Sequence, residues 1–382
     1  MSKSHNPYPW WVCRIWNGMG VSTLFGLLTR NRFAVSPSVG RIHIVVSAVI
    51  FSFMNSALNA LQRVFYGRRI AQVRLEPPVF IIGHWRSGTT FLHELLTRDP
   101  HLSAPSTYEC FNPGHFHLSA AVFTKFDYLI PGTRPMDDMK MSWDSPQEDE
   151  FALLNMGLPS PYQELAFPNH RKRAAPFLSL DRFSPRERLM WRNRFVTFLK
   201  SVTLRRMKQS KGSPPRLVLK SPPHTARLAA LNDMFPGAKF IHLVRNPAEV
   251  FPSSVRTWMS LFEVQGCQKP RAEALANGAP SIEDYVLSTF NELYRDFPQA
   301  SAAIPRTQFC ELRYEELIAD PLAELERIYN HLQLGRFEEA RPHFATHLAS
   351  VRSYRPSRQQ VAPDVHTEVR RRWAPFFETY GY

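Results

Sequence analysis

The sequence predicts an α/β fold, with a central parallel sheet of about five strands flanked by helices in three layers and preceded by an N-terminal helical extension. Three observations carry that expectation. The apolar run Val79–Ile82 leads into a loop bounded by Gly83 and Gly88, and the loop opens a helix. Two more apolar segments, 216–219 and Lys239–Val244, each end in a basic residue, Lys220 and Arg245, and each lead towards a helix. Strands that alternate with helical periodicity place helices on both faces of a parallel sheet, whose ligands bind beyond the carboxyl ends of the strands. Arg86, Lys220 and Arg245 all follow strands, so all three can point into one crevice.

With 382 residues, 44% of them hydrophobic and 21% charged, the chain has material for one large domain with additions or for two domains. The division falls near residue 75, with a basic, Trp-containing helical extension over 1–75 and the α/β domain over 76–382. Lys3, Arg14, Arg30, Arg32, Arg41, Arg63, Arg68, Arg69 and Arg74 all precede the first acid, Glu76, and Trp10, Trp11 and Trp16 are interleaved with them. Two readings of this segment stay open: a helical extension packed on the main domain, and a segment lying on an anionic membrane surface. Gly40 and Gly67 are expected as breaks in it. Residues 42–61 are its most apolar stretch, but His43, Ser47, Ser52, Asn55, Ser56 and Asn59 interrupt them, so no spanning helix is expected. The start of the chain lacks the layout of a secretory signal. The four cysteines have no C-x-x-C spacing and predict neither a disulfide framework nor a zinc site. The expected location is therefore cytoplasmic, with peripheral attachment to the inner face of a membrane if residues 1–75 bind lipid.

Along the main domain, the strand Val79–Ile82 is followed by a helix over 90–98, where Phe91, Leu92, Leu95 and Leu96 form one apolar face. A short second strand is expected at 102–105, ending in a turn at 106–109. Proline-rich loops at 111–170 read as substrate-contacting. His115 and His117 lack a third ligand at metal spacing and read as loop residues. Glu148, Asp149 and Glu150 read as acids at a helix start, or as contacts to an acceptor. A long basic helix fits 184–211, where Ser184, Pro185 and Glu187 supply a cap, an N1 proline and an N3 acid. A fifth strand fits 307–312, followed by a helix over Pro321–Leu332.

The loop after the first strand is a phosphate cradle, in which glycines let backbone N–H groups approach an anion at a helix N-terminus. It departs from the nucleoside-triphosphate pattern G-x-x-x-x-G-K-[ST] in one place. Gly83 and Gly88 have the right spacing, but Thr89 stands at the lysine position and the cation is Arg86, inside the loop. Such a P-loop-NTPase-like element is poorly equipped for Mg-NTP chemistry and still suits a nucleotide carrying phosphate or sulfate. The net charge of +14 agrees with an anionic partner.

Three segments in order resemble the sulfotransferases that use 3′-phosphoadenosine-5′-phosphosulfate, in particular the bacterial group akin to tyrosylprotein and carbohydrate sulfotransferases. They are Gly83-His84-Trp85-Arg86-Ser87-Gly88-Thr89-Thr90, Leu219-Lys220-Ser221-Pro222-Pro223-His224, and Phe240 to Pro247 with Ser253 eight residues after Arg245. Tyr314-Glu315-Glu316-Leu317 with Asp320-Pro321 is a looser match. The resemblance covers about residues 78–335. It implies that Arg86, Ser87, Gly88, Thr89 and Thr90 bind the 5′-phosphosulfate, that Arg245 and Ser253 bind the 3′-phosphate, and that Tyr314 completes the donor site. Lys220 would stabilise the bridging oxygen as it leaves. The implied reaction is metal-independent, in-line transfer of a sulfuryl group to a hydroxyl of a lipid, glycan or peptide. Sulfate carries one negative charge where a terminal phosphate carries nearly two, so cationic side chains and N–H groups can suffice.

Cytosolic small-molecule sulfotransferases have a histidine two positions after the strand-end lysine, where this chain has Pro222. Glu109 sits where tyrosylprotein sulfotransferases place their glutamate and is the expected general base, with His224 the alternative. Loops at 106–170 and 256–285 are expected to choose the acceptor, and arginines 352, 355 and 358 to form a flap over the donor. Two other function classes stay open. One is a nucleotide kinase or NTPase, opposed by Thr89; the other is a non-catalytic basic protein of membrane surfaces. Basic and aromatic nucleic-acid motifs are lacking, so no nucleic-acid partner is expected.

Overall fold

The computed structural model describes residues 8–133, 140–210, 215–270, 278–351 and 363–382. Arginines 352, 355 and 358 lie outside the described residues.

The N-terminal segment contains two helices, α1 (Val21–Arg30) and α2 (Val39–Gln72). The expected break at Gly67 is absent, because α2 runs unbroken for 34 residues with Gly67 inside it and Gly40 in its first turn. One glycine weakens a helix by only ~1 kcal/mol relative to alanine, which the many contacts of a long helix outweigh. The expectation about spanning is also altered: by length and composition α2 suffices to cross a membrane, with an 18-residue window of mean hydropathy 1.8. The side of α2 turned to the protein mixes apolar and polar residues. Arg41 donates to the carbonyls of Glu263 (2.6 Å) and Gly266 (2.7 Å), and Asn55 donates to the carbonyls of Asn17 (2.7 Å) and Met19 (3.0 Å). Gln62 accepts from the N–H of His117 at 2.8 Å. Ile15, Trp16, Leu24, Leu27, Leu28, Ile44 and Ala48 join the same apolar cluster as Phe80 and Phe240 of the sheet.

The sheet contains β1 (Val79–Ile82), β2 (Leu102–Ser103), β3 (Arg216–Lys220), β4 (Lys239–Val244) and β5 (Phe309–Arg313), all parallel, in the order β2-β3-β1-β4-β5. Alternation along each strand splits the core into two layers. Phe80, Ile82, Leu217, Leu219, Phe240 and Val244 face one side, and Val79, Ile81, Val218, Ile241, Leu243 and Leu312 the other. A sheet covered on both faces needs near-continuous apolar strands, and every residue of β1 is fully buried.

Between β1 and β2 lies α3 (Thr89–Leu96). After β2 come α4 (Thr107–Phe111), α5 (Phe116–Phe123), α6 (Asp149–Asn155) and α7 (Pro185–Ser210). The expected loop at His115 and His117 is α5 with its cap. His115 bonds Ser119 and Asn55, and His117 bonds Ser201 and stacks on Tyr66, which ties α5 to α2 and α7. Ser184 and Glu187 exchange the expected capping bonds at the start of α7. Then α8 (Leu228–Met234) precedes β4, and α9 (Pro247–Gln265) follows it. Much of the expected acceptor loop at 256–285 is therefore helix, because α9 continues to Gln265 and another helix begins at Ile282.

The chain crosses from one side of β1 to the other between β3 and β4. This is the switch point where a crevice opens beyond the strand ends, and the loops after β1, β3 and β4 meet there.

Candidate active site

The loop from Gly83 to Gly88 is shaped by backbone constraints. Gly83 has φ 142°, and a Cβ there would strike the Leu243 carbonyl; Gly88 has φ 97°, and a Cβ would run into the Tyr314 ring. The Thr225 hydroxyl clamps Gly83 from below, accepting its N–H at 2.8 Å and donating to its carbonyl at 3.2 Å. Arg86 is left-handed with φ 71°, a conformation that costs a non-glycine residue about 1–3 kcal/mol and gathers at ligand clamps. The first N–H groups of α3, from Thr89 onward, have no partner within the helix, as at any helix N-terminus.

Arg86 Nε donates to Ser253 Oγ at 2.9 Å. Arg245 Nη1 donates to the Arg86 carbonyl at 3.1 Å, and its guanidinium lies 4.3 Å from the centre of the Tyr314 ring. The other face of Arg245 pairs with Glu249 at 2.7 Å, one turn along α9. Arg86, Gly88, Arg245, Ser253 and Tyr314, drawn from four separate segments, thus form one cluster. The Ser87 hydroxyl is turned inward and donates to the His84 carbonyl at 2.8 Å. Arg256, three residues beyond Ser253 on α9, lies near enough to Arg86 that its guanidinium pKa is lowered, by burial first and by Arg86 second.

Across the crevice, the three acids at the start of α6 meet three bases at the end of β3 and just beyond it. Glu148 pairs with Lys220 (2.6 Å), Asp149 with His224 (2.6 Å) and Glu150 with Arg227 (2.5 Å). Asp149, Glu150, His224 and Arg227 are sealed, whereas the Glu148 side chain keeps 11% of its surface exposed. Glu148 also accepts a very short hydrogen bond from the Tyr162 hydroxyl, which in turn accepts from Trp85 Nε1 at 2.9 Å. Burial and the Glu148 charge push the Tyr162 phenol well above its usual range, so it stays protonated as a donor. Trp85 belongs to the cradle, so this chain of bonds joins the loop to the Lys220 side of the site.

The two expected bases have other partners. Glu109 is fully buried, accepts from Arg206 on both oxygens (2.7 Å each) and from the Ser106 N–H (2.8 Å), and forms an ion pair with Arg205 at 3.3 Å. These bonds cap α4 and fasten it to α7, and none of the partners belongs to the cradle. His224 is buried with Nε2 on Asp149 and its ring edge-on to Phe80. From sequence, Glu148 reads as a helix-start acid or as a contact to the acceptor, and neither Tyr162 nor Arg256 stands out. Spacing offered one usable signal: the acids at 148, 149 and 150 face bases at 220, 224 and 227, but nothing local announces that the two segments meet.

A sequence model of the sulfotransferase family matches residues 77–339. The chain is 39% identical over 373 residues to the omega-hydroxy-beta-dihydromenaquinone-9 sulfotransferase Stf3 of Mycobacterium bovis, covering 97% of this chain and 92% of that protein. The Mycobacterium tuberculosis protein of the same name gives the same figures. Among solved structures, the chain resembles sulfotransferase STF9 of Mycobacterium avium (TM-score 0.64, 17% identity, 95% of this chain and 96% of that one). It also resembles sulfotransferase STF1 of Mycobacterium tuberculosis (TM-score 0.59, 21% identity, 92% and 90%). At those identities the two structures establish the fold, which is the three-layer, P-loop-like architecture described above.

Proposed function

This chain belongs to the sulfotransferase family and is a transferase enzyme, and from that premise we propose that it moves the sulfuryl group of 3′-phosphoadenosine-5′-phosphosulfate onto the terminal hydroxyl of an apolar, polyprenyl-type lipid. The observation that carries the donor assignment is the cluster in which Arg86 bonds Ser253 while Arg245 holds the Arg86 carbonyl and covers Tyr314. Arg86 and the N–H groups opening α3 hold the 5′-phosphosulfate. Arg245, Ser253 and Arg256 hold the 3′-phosphate. The acceptor class follows the curated relative, whose name specifies an omega-hydroxylated dihydromenaquinone.

Glu148, rather than Glu109, takes the role of general base in this reading. Its carboxylate lies on Lys220 at the rim of the site, while the Glu109 oxygens are saturated by arginines. With donor bound, Lys220 turns to the bridging oxygen and uncovers one Glu148 oxygen. The acceptor hydroxyl oxygen bonds to sulfur as its proton passes to Glu148. The bond from sulfur to the bridging oxygen breaks, and 3′-phosphoadenosine-5′-phosphate leaves with Lys220 neutralising the new charge. Tyr162 holds Glu148 in place. Cations and N–H groups of the chain supply the charge stabilisation, so turnover is expected to survive a chelator.

The test is binding of 3′-phosphoadenosine-5′-phosphate, followed by labelled-sulfate transfer to hydroxylated polyprenyl quinones, glycans and peptides. Label in the quinone arm alone is the expected result. Preferential binding of Mg-ATP would overturn the donor, and label confined to glycan or peptide would overturn the acceptor.

A further inference from the structure

We propose that α2 is the membrane-docking element of this enzyme, lying in the plane of an anionic lipid surface with its outward face in the acyl region. This deepens the lipid-acceptor reading and rests on it for its purpose, although the test below involves no acceptor.

The helix presents apolar side chains to solvent as well as to the protein. Its inner face mixes Arg41, Ser52, Asn55 and Gln62 with Ile44, Ala48 and Ile70, all buried. Its outer face carries Ile42, Val46, Ile50, Phe53, Leu61 and Val64, at spacings of three and four residues apart from the gap filled by Ala57. These side chains are strongly exposed, with Ile50 at 66%, Phe53 at 61% and Val64 at 77%. At about 1.5 Å per residue the helix is roughly 50 Å long, so the stripe is far larger than a scattered set of surface apolar residues.

The stripe has the surroundings of an interfacial helix. Trp10 is 67% exposed and packs edge-on against His43 of α2 with ring centres 5.3 Å apart, which sets an indole beside one end of the stripe. Tryptophan favours the headgroup level of a bilayer. Exposed Arg30 and Arg32 lie before α2, and exposed Arg63, Arg68 and Arg69 stand near its far end. No acid occurs before Glu76. Each such arginine near an anionic surface adds about 1 kcal/mol, or roughly fivefold in affinity.

Charge also decides between lipid and a second copy of the chain. Two α2 helices packed in parallel would set Arg68 against Arg68. Antiparallel packing would bring Arg63, Arg68 and Arg69 towards the partner's Arg30 and Arg32, again without an acid on either helix. A spanning orientation is opposed by the inner face, because Arg41 and Asn55 are bonded to the body of the enzyme and would have to be stripped from it.

The experiment is flotation of the full-length protein with vesicles of phosphatidylcholine alone or with phosphatidylglycerol added, alongside light scattering and 3′-phosphoadenosine-5′-phosphate binding. The protein is expected to float with the anionic vesicles, and 1 M salt is expected to weaken this, because the screening length falls from ~10 Å to ~3 Å. Ile50→Ser with Phe53→Ser is expected to lower partitioning on the order of tenfold or more. Melting temperature and nucleotide binding should not change, since both side chains project into solvent. Failure of the native protein to float, or equal flotation of the double variant, overturns the proposal. So does a native dimer that the same substitutions convert to a monomer without any vesicle binding. Nucleotide binding is read separately, so loss of the donor assignment and loss of the docking assignment are distinguishable.

Discussion

Two buried glutamates in this enzyme are both bound by cations, and their surroundings differ. Glu109 is gripped by Arg205 and Arg206 and by the backbone of its own helix cap, which consumes both of its oxygens. Glu148 has one lysine and one phenol, and the lysine has a second place to go once a donor phosphate arrives. Arginine forks hold a carboxylate in fixed bidentate geometry and do not release it, which suits a structural joint. Lysine is a flexible point charge that can exchange partners. On the mechanism proposed above, the identity of the cation and its freedom to leave separate a structural carboxylate from a reactive one.

The strongest test substitutes each glutamate in turn. Glu148→Gln should reduce turnover by about 10²–10⁴-fold while 3′-phosphoadenosine-5′-phosphate binding and melting temperature stay near native. Glu109→Gln should do the reverse: about 3–5 kcal/mol of stability lost by chemical denaturation, because two arginines lose a buried counter-charge, with near-native turnover in the folded fraction. An inactive but stable Glu109→Gln would reverse the assignment.

Next in size is the sealed neighbour of Glu148. Glu150→Gln leaves the Arg227 guanidinium buried without a counter-charge, and a loss of about 3–5 kcal/mol in an unfolding titration is expected, with nucleotide affinity kept. A native-like midpoint would show that this pair is not the joint described.

Arg245→Ala should weaken 3′-phosphoadenosine-5′-phosphate by about 10–100-fold in calorimetry while leaving the affinity for 5′-AMP nearly unchanged, because only the former carries the 3′-phosphate. Its exposed partner gives a smaller effect of opposite sign. Glu249→Gln removes a carboxylate that competes for Arg245, and nucleotide binding should tighten a few-fold at most, as for a surface ion pair.

Acid adds a graded effect. Burial holds His84, His115 and His117 near pKa 4 and His93 near 3, against 6.5 when unfolded. Between pH 4 and 6.5 the unfolded chain therefore binds more protons than the native one at these sites, and stability falls as pH drops through that window. Glu164 opposes this, since burial raises its carboxyl to about 7, but it is one group against four. Denaturation midpoints that stay level from pH 6.5 to 4.5 would contradict the buried, neutral state of these histidines.

The fold, and the clustering of Arg86, Arg245, Ser253 and Tyr314, were largely legible in the chain. β1 and β4 occupy the expected residues, β3 runs one residue further to Lys220, and the helix Pro321–Leu332 has the expected bounds. These features are local: an apolar strand, a glycine forced to positive φ, and a cation at a strand end. Strand β5 was displaced to Phe309–Arg313 because a short 3₁₀ turn at Arg306–Gln308 takes up the first residues of the expected run.

The pairing of the carboxylates was not legible. In sequence Glu109 reads as part of a turn and Glu148 as a helix-start acid, and only folding brings Arg206 to the first and Lys220 to the second. For α2, composition alone showed arginines, tryptophans and an interrupted apolar run; it could not show which face of the helix would be buried. That orientation depends on Arg41 and Asn55 finding carbonyls on distant segments, which turns them inward with Ile44 and Ala48 and leaves Ile50, Phe53 and Val64 outside. The sheet and the glycine-bounded loop after β1 could be read locally, because both follow from the periodicity and backbone freedom of neighbouring residues. The partners of Glu109 and Glu148 and the outward face of α2 are set by tertiary contacts, because each depends on groups that folding brings together from distant parts of the chain.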